Sequence, residues 1–321
     1  MRITHFNGMN GIAAALTLAG TVLACDGGES VPRERRVAAA APVSQPVTAT
    51  PVMDVDTIES ATPTVTVPEN VTYSDAEAVY HAGRYVDATE MFGVYTTTHP
   101  GNGWGHYMLG LSAWKAGDAE RAIAALERTV ELDSANVKAR TNLGRVLIEQ
   151  GRAEEALAQI EAARTLEPQS APVLRVMGNA LGELGRAEEA LVAYREALAI
   201  DPEDAWSMNN YALQLIRLGR FEDALPPLAR AVELKPGSAL FQNNLGVALE
   251  RSGDLVSAAA AYEAALAAND AHERARVSLA RVQQRISGED TASTDLGALA
   301  IAFISEVESW RMPAMEAVGV R

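Results

Sequence analysis

Three asparagines, Asn142, Asn210 and Asn244, stand in register on a 34-residue step, with Val176 at the intervening place. An amide carries a donor and an acceptor on one fork, so a series of them suits binding to a peptide backbone whatever side chains that peptide bears. Asn is a weak helix former, costing roughly half a kcal/mol relative to Ala. The pair Asn209–Asn210, at the head of a helical run, therefore asks for a compensating role. Local helix geometry is the other explanation for such a series. Lys138, Arg145, Arg175, Arg217 and Arg251 fall in the same stretch of chain, which makes it more basic than a protein of net charge −15.

Catalytic chemistry finds no comparable constellation. His5, His81, His99, His106 and His272 are scattered, no two stand at the i, i+4 spacing of a zinc site, and the single cysteine, Cys25, cannot join them. The glycines of PGNGWGH, Gly101, Gly103 and Gly105, lack the preceding strand and following Lys-Ser or Lys-Thr of a phosphate loop. Carboxylate pairs such as Glu154–Glu155 and Glu188–Glu189 open helical runs, where they favour the positive end of the helix dipole. The expectation is a protein that is not an enzyme and needs neither metal nor cofactor.

The elements that carry these residues repeat. Glycine recurs at Gly83, Gly117, Gly151, Gly185, Gly219 and Gly253, and alanine at Ala88, Ala122, Ala156, Ala190, Ala224 and Ala258. A second small-residue column runs Ala76, Gly110, Gly144, Gly178, Ala212, Gly246 and Ala280, and Pro100, Pro168, Pro202 and Pro236 share the step. The first glycines close a helix in the left-handed conformation. The second small column lets two helices approach, and the prolines stop the second helix. The unit is helix, tight turn, helix, stop, repeated as a period of 34 residues. Composition agrees, because 48% hydrophobic with only 5% aromatic residues favours close-packed helices over sheets.

This resembles the tetratricopeptide repeat, which NLGRVLIEQGRAEEALAQIEAARTLEP and NNLGVALERSGDLVSAAAAYEAALAAN match in both period and residues. The resemblance covers about 69 to 270 and implies an all-α fold: a right-handed α-solenoid of six tetratricopeptide-like helix pairs plus a C-terminal capping helix near 272 to 286. The family's bulky residue near the start of each repeat is replaced by His106, Arg140, Leu174, Met208 and Gln242. The first repeat is degenerate and is expected to begin at a capping box from Ser74 to Glu77. Such an array presents a concave face lined by the first helix of each pair. Helical spacing puts Lys138, Asn142, Arg145 and Glu149 on one stripe there, and Trp206, Asn210, Leu213 and Arg217 on another, with Arg175, Asn179, Asn243 and Asn244 between and beyond. Trp104, Tyr107, Trp114 and Trp206 are the candidate aromatic anchors. The predicted peptide-binding groove is thus Trp104, Tyr107, Trp114, Lys138, Asn142, Arg145, Arg175, Asn179, Trp206, Asn210, Arg217 and Asn244. The family's carboxylate clamp is not met in full.

Two segments flank the repeats. An apolar run from Gly11 to Ala24 is too short to span a bilayer but suits a signal peptide. Val22-Leu23-Ala24-Cys25 resembles the bacterial lipobox, whose cysteine is acylated. The expected order is signal peptide 1–24, lipidated Cys25 with a Pro/Ala/Thr-rich tether 25–68, repeats and cap 69–286, and a tail 287–321. The tether has an r.m.s. reach of about 35 to 40 Å. Arg33, Arg35 and Arg36 in it suit either solvent or lipid headgroups. In the tail, Leu296, Leu299, Phe303, Val307 and Trp310 predict an amphipathic helix over 295–311, packed on the last repeats or filling a groove.

The acidic charge speaks against nucleic acid as a partner. The sequence points to a cell-envelope lipoprotein, anchored by lipid only to an inner or outer membrane, that binds a protein or peptide as adaptor or scaffold. An accessory subunit of an envelope enzyme, such as a peptidoglycan-active one, and a soluble scaffold are the alternatives.

Overall fold

The computed structural model describes residues 70–291 and 294–318. The expected signal peptide 1–24, Cys25 and the expected tether 25–68 lie outside the described residues. No helix among the described residues is long and apolar enough to cross a membrane.

Six helix pairs follow one another. They are α1 (Tyr73–His81) with α2 (Tyr85–Thr98), α3 (Gly103–Lys115) with α4 (Ala119–Leu132), and α5 (Val137–Glu149) with α6 (Ala153–Leu166). The second half adds α7 (Ala171–Glu183) with α8 (Ala187–Ile200), α9 (Ala205–Arg217) with α10 (Phe221–Leu234), and α11 (Ala239–Ser252) with α12 (Leu255–Ala268). Then come α13 (Glu273–Gln283) and α14 (Leu296–Val318). The described residues contain fourteen helices and no strand, an all-α solenoid.

The two glycine columns do different work. Gly219 has φ +74°, and a Cβ there would meet nothing within 4 Å, so the left-handed turn alone requires glycine. Gly178 is the converse case, because a Cβ would stand 2.6 Å from the Tyr194 ring, where α7 crosses α8. The six alanines of the 34-residue column are fully buried in the second helices. Large side chains fill the remaining contact, among them Phe92, Leu126, Ile160, Tyr194, Leu228 and Tyr262.

Caps set the helix starts. Asn102, Asp118, Asn136, Asp204, Ser238 and Asp254 accept from backbone N–H groups in the first turn of the helix each precedes. The expected capping box at Ser74–Glu77 is instead Thr72–Asp75. Thr72 is extended (φ −86°, ψ 156°), its hydroxyl accepts from Asp75 N at 3.2 Å, and Asp75 answers on Thr72 N, so Ser74 is already helical. At the starts of α2, α6, α8 and α10, which have no side-chain cap, an arginine holds the place: Arg152, for instance, pairs with Glu155, and Arg186 with Glu189. The first-turn carboxylates thus answer both the helix dipole and a local cation. α10 stays continuous through Pro226 and Pro227, a feature the 34-residue pattern does not announce.

The order of contacts gives the array its sense of curvature. Each odd-numbered helix up to α11 touches the next odd one, whereas no even helix touches the next even one. Chains of helices that crowd on one side and spread on the other bend toward the crowded side, so the odd helices line the concave, inner face.

α14 does not enter that face. It packs on α10 and α8, with Ala300, Phe303 and Val307 buried. Tyr211 lies 6.4 Å from Phe303 and 5.8 Å from Trp310 between ring centroids, and Arg195 stands 5.7 Å over the Trp310 ring. Thr294 anchors its start by donating from both N and Oγ1 to Asp254, the cap of α12.

Candidate functional site: the inner face of the array

Along α7, α9 and α11 the asparagines form one directional chain. Asn243 Nδ2 donates to Asn244 Oδ1 (3.4 Å), and Asn244 Nδ2 to Asn209 Oδ1 (2.8 Å). Asn209 Nδ2 donates to Asn210 Oδ1 (3.0 Å), and Asn210 Nδ2 to Asn179 Oδ1 (2.9 Å). Tyr194 Oη donates to the same Asn179 oxygen at 2.7 Å. Burial pushes the Tyr194 phenol well above its ordinary value, which keeps it a donor. Asn209 is 1% exposed and Asn244 7%, whereas Asn179 and Asn210 are half-buried. The chain ends at the buried Asn243 Oδ1, which has no partner among the described residues.

A second cluster lies on α3, α5 and α7. Asn142 Nδ2 donates to Tyr107 Oη (2.9 Å), while Arg145 Nη1 donates to Asn142 Oδ1 (3.1 Å). Burial raises the Tyr107 phenol, with Arg145 and the Asn142 bond acting against it, and the hydroxyl stays neutral. Burial, and then the charge of Arg175, push the Arg145 guanidinium below its ordinary value. Arg175 itself is paired with Asp204 at 2.5 Å. Asp204 also accepts from Trp206 N and Ser207 Oγ.

The remaining predicted groove residues are distributed as follows. Trp104 is 58% exposed and sits edge-on to Tyr107, 5.5 Å between centroids. Trp114 donates to Glu149 Oε2 at 2.6 Å. Lys138 is exposed. Trp206 is half-buried, edge-on to Phe241 at 5.0 Å with Lys235 Nζ 5.3 Å over its ring. Arg217 donates to the Gly182 carbonyl at 2.7 Å and pairs with Glu183 at 3.4 Å. The structure therefore joins Tyr107, Asn142 and Arg145 in one cluster and Asn179, Asn210 and Asn244 in another. No group of three or more His, Cys, Asp or Glu among the described residues is placed to hold a metal ion.

Residues 107–171 and 209–273 match a family model described as tetratricopeptide repeat, and 178–213 a second described as TPR repeat. The chain contains tetratricopeptide repeats. Among solved structures, these tetratricopeptide repeats are similar to TTC0263, a thermophilic TPR protein of Thermus thermophilus. Identity is 21% and the TM-score 0.51, over 57% of this chain and 99% of that one. They are also similar to a chain of the APC/C hetero-tetramer Cut9–Hcn1, at 16% identity and TM-score 0.59, over 64% of this chain and 41% of that one. Both likenesses concern the fold. No curated protein matches the chain.

Within the tetratricopeptide frame, Asn209, Tyr194 and Asp204 join the inner-face network although the sequence did not place them there, and so does Asn243, which helical spacing put on that face but which the predicted groove left out. A signal was present for two of them: Asn209 and Asn243 stand one step of 34 apart, each directly before a groove asparagine. Tyr194 gave none, because it comes from a second helix and reaches Asn179 only past the small Gly178.

Proposed function

We propose that the tetratricopeptide repeats are a protein-interaction scaffold whose inner face takes an extended peptide segment, and that the chain works at a bacterial cell-envelope membrane through acylated Cys25. The observation that carries the first part is the open edge of the inner face. Trp104 is 58% exposed and Lys138 is exposed, at equivalent places on α3 and α5, the two helices joined by the closed Tyr107–Asn142 bond. Exposed aromatic and cationic side chains over a rigid hydrogen-bonded floor are the kind that anchor partners. The envelope part is supported by the apolar run to Ala24, the VLAC tetrapeptide and the Pro-rich stretch after it. The protein is read as a non-catalytic binding component.

A photo-crosslinking amino acid at position 104, in cells that make the protein natively, tests the groove. The expected result is a discrete protein adduct, absent when the crosslinker stands at exposed position 301 on α14 instead. Equal adducts from both positions would overturn the inner face as the binding surface. Metabolic labelling with a lipid precursor tests the anchor: label should appear on the wild type and vanish in Cys25→Ala.

A further inference from the structure

Arg145 is the one member of its cluster whose charge is met only by a neutral group. Its hydrogen bond goes to the Asn142 amide, and among the described residues it has no ion pair. The two carboxylates that attract it are already engaged: Glu149 accepts from Trp114, and Asp204 from Arg175, Ser207 and the Trp206 backbone. Across the same amide, Tyr107 Oη accepts from Asn142 and so keeps its own O–H to give. Two donors, one of them cationic, thus stand on either side of one fixed amide, Arg145 half-buried and Tyr107 9% exposed with its ring beside the open ring of Trp104.

We infer that Arg145 and Tyr107 receive a side-chain carboxylate of an acidic residue in the partner segment, with an apolar neighbour of that residue on Trp104. The inference rests on the inner-face function proposed above and names its chemistry. A half-buried guanidinium with only a neutral partner has lost water without gaining an anion, and charge-assisted bonds restore what it lost. One open guanidinium matches one carboxylate, since Arg175 is held by Asp204. The inner face continues past α3 toward α1 and past α7 toward α11, which leaves room on both sides for a segment that passes through.

The experiment is selection of a random twelve-residue peptide library on the purified full chain, followed by anisotropy titration of a selected peptide and its Glu→Gln or Asp→Asn counterpart. Selected peptides should be enriched in Asp or Glu. The carboxylate peptide should bind about ten- to a hundredfold more tightly than its amide. Arg145→Gln should erase that difference, and Tyr107→Phe should narrow it several-fold while keeping the ring that packs on Trp104. Selected peptides without acidic enrichment, yet lost in Trp104→Ala, would overturn the carboxylate site and leave the groove standing. Peptides indifferent to both Trp104→Ala and Arg145→Gln would overturn the two together. Circular dichroism of each variant separates lost binding from lost fold.

Discussion

Asn244 donates from Nδ2 to Asn209 Oδ1 at 2.8 Å, across the boundary between the fifth and sixth repeats. The bond couples neighbouring repeats through buried amides, so the array is held by polar contacts on its inner face as well as by its apolar seams. Asn209 in turn donates to Asn210 and orients it.

Asn209→Ala removes the acceptor and leaves the buried Asn244 amide unpaired, which costs about 1 to 3 kcal/mol. Urea unfolding should show that loss. Asn209→Ala with Asn244→Ala should lose clearly less than the sum of the single changes, and a strictly additive pair would show that the bond does not couple the repeats.

Gly178→Ala drives a methyl group against the Tyr194 ring, where the gap is 2.6 Å. Overpacking of this kind costs about 1 to 3 kcal/mol. Tyr194→Leu in the same chain should recover part of the loss, as read by the thermal midpoint. Gly219→Ala should also destabilise, but no neighbouring change should rescue it, since its cause is a φ of +74°.

The cap α13 is locked by Glu250, which pairs with Arg281 at 2.7 Å and Arg285 at 2.9 Å and accepts from Tyr262 at 3.0 Å. Burial raises the Glu250 carboxyl, but the hydrogen bonds from Arg281 and Tyr262 and the charges of both arginines together hold it below its ordinary 4.5. A carboxyl depressed in the folded state adds stability above its unfolded value and loses it as pH falls through the folded one. The wild type should therefore exceed Glu250→Gln in urea midpoint at pH 7, and the gap should close as pH falls below about 4.5. A gap independent of pH would contradict the ion-pair lock.

Phe303 is 1% exposed between α14 and the repeats. Phe303→Ala should cost about 3 to 5 kcal/mol of α14 docking. Limited proteolysis should then cut between 287 and 311 much faster than in the wild type, while the helical signal of the repeats persists. Unchanged cleavage would mean that α14 is held by other contacts.

Most of the fold was legible because the repeat states each requirement several times over. The left-handed turn needs glycine at the same phase in every unit, and the helix crossing needs a small residue at another, so a single period encodes the pair and its packing. α14 was legible as a helix from Leu296, Phe303, Val307 and Trp310, but not as a neighbour of α8 and α10. Its partner face is built from Tyr211 and Arg195, which ordinary repeat positions also carry for other reasons.

The candidate site divides along the same line. By itself the sequence determined which helices face inward and that Asn142, Asn210, Asn244 and Arg145 ride on them, because helical phase follows from residue number. Only the tertiary structure decided that Asn244 is buried against Asn209, that Arg175 is answered by Asp204, and that Arg145 has no ion pair among the described residues. Those outcomes depend on distances between residues some 30 positions apart on adjacent helices, where a shift of an ångström or two makes or breaks a hydrogen bond. Periodicity specifies a direction from the helix axis, and it carries no information at that scale.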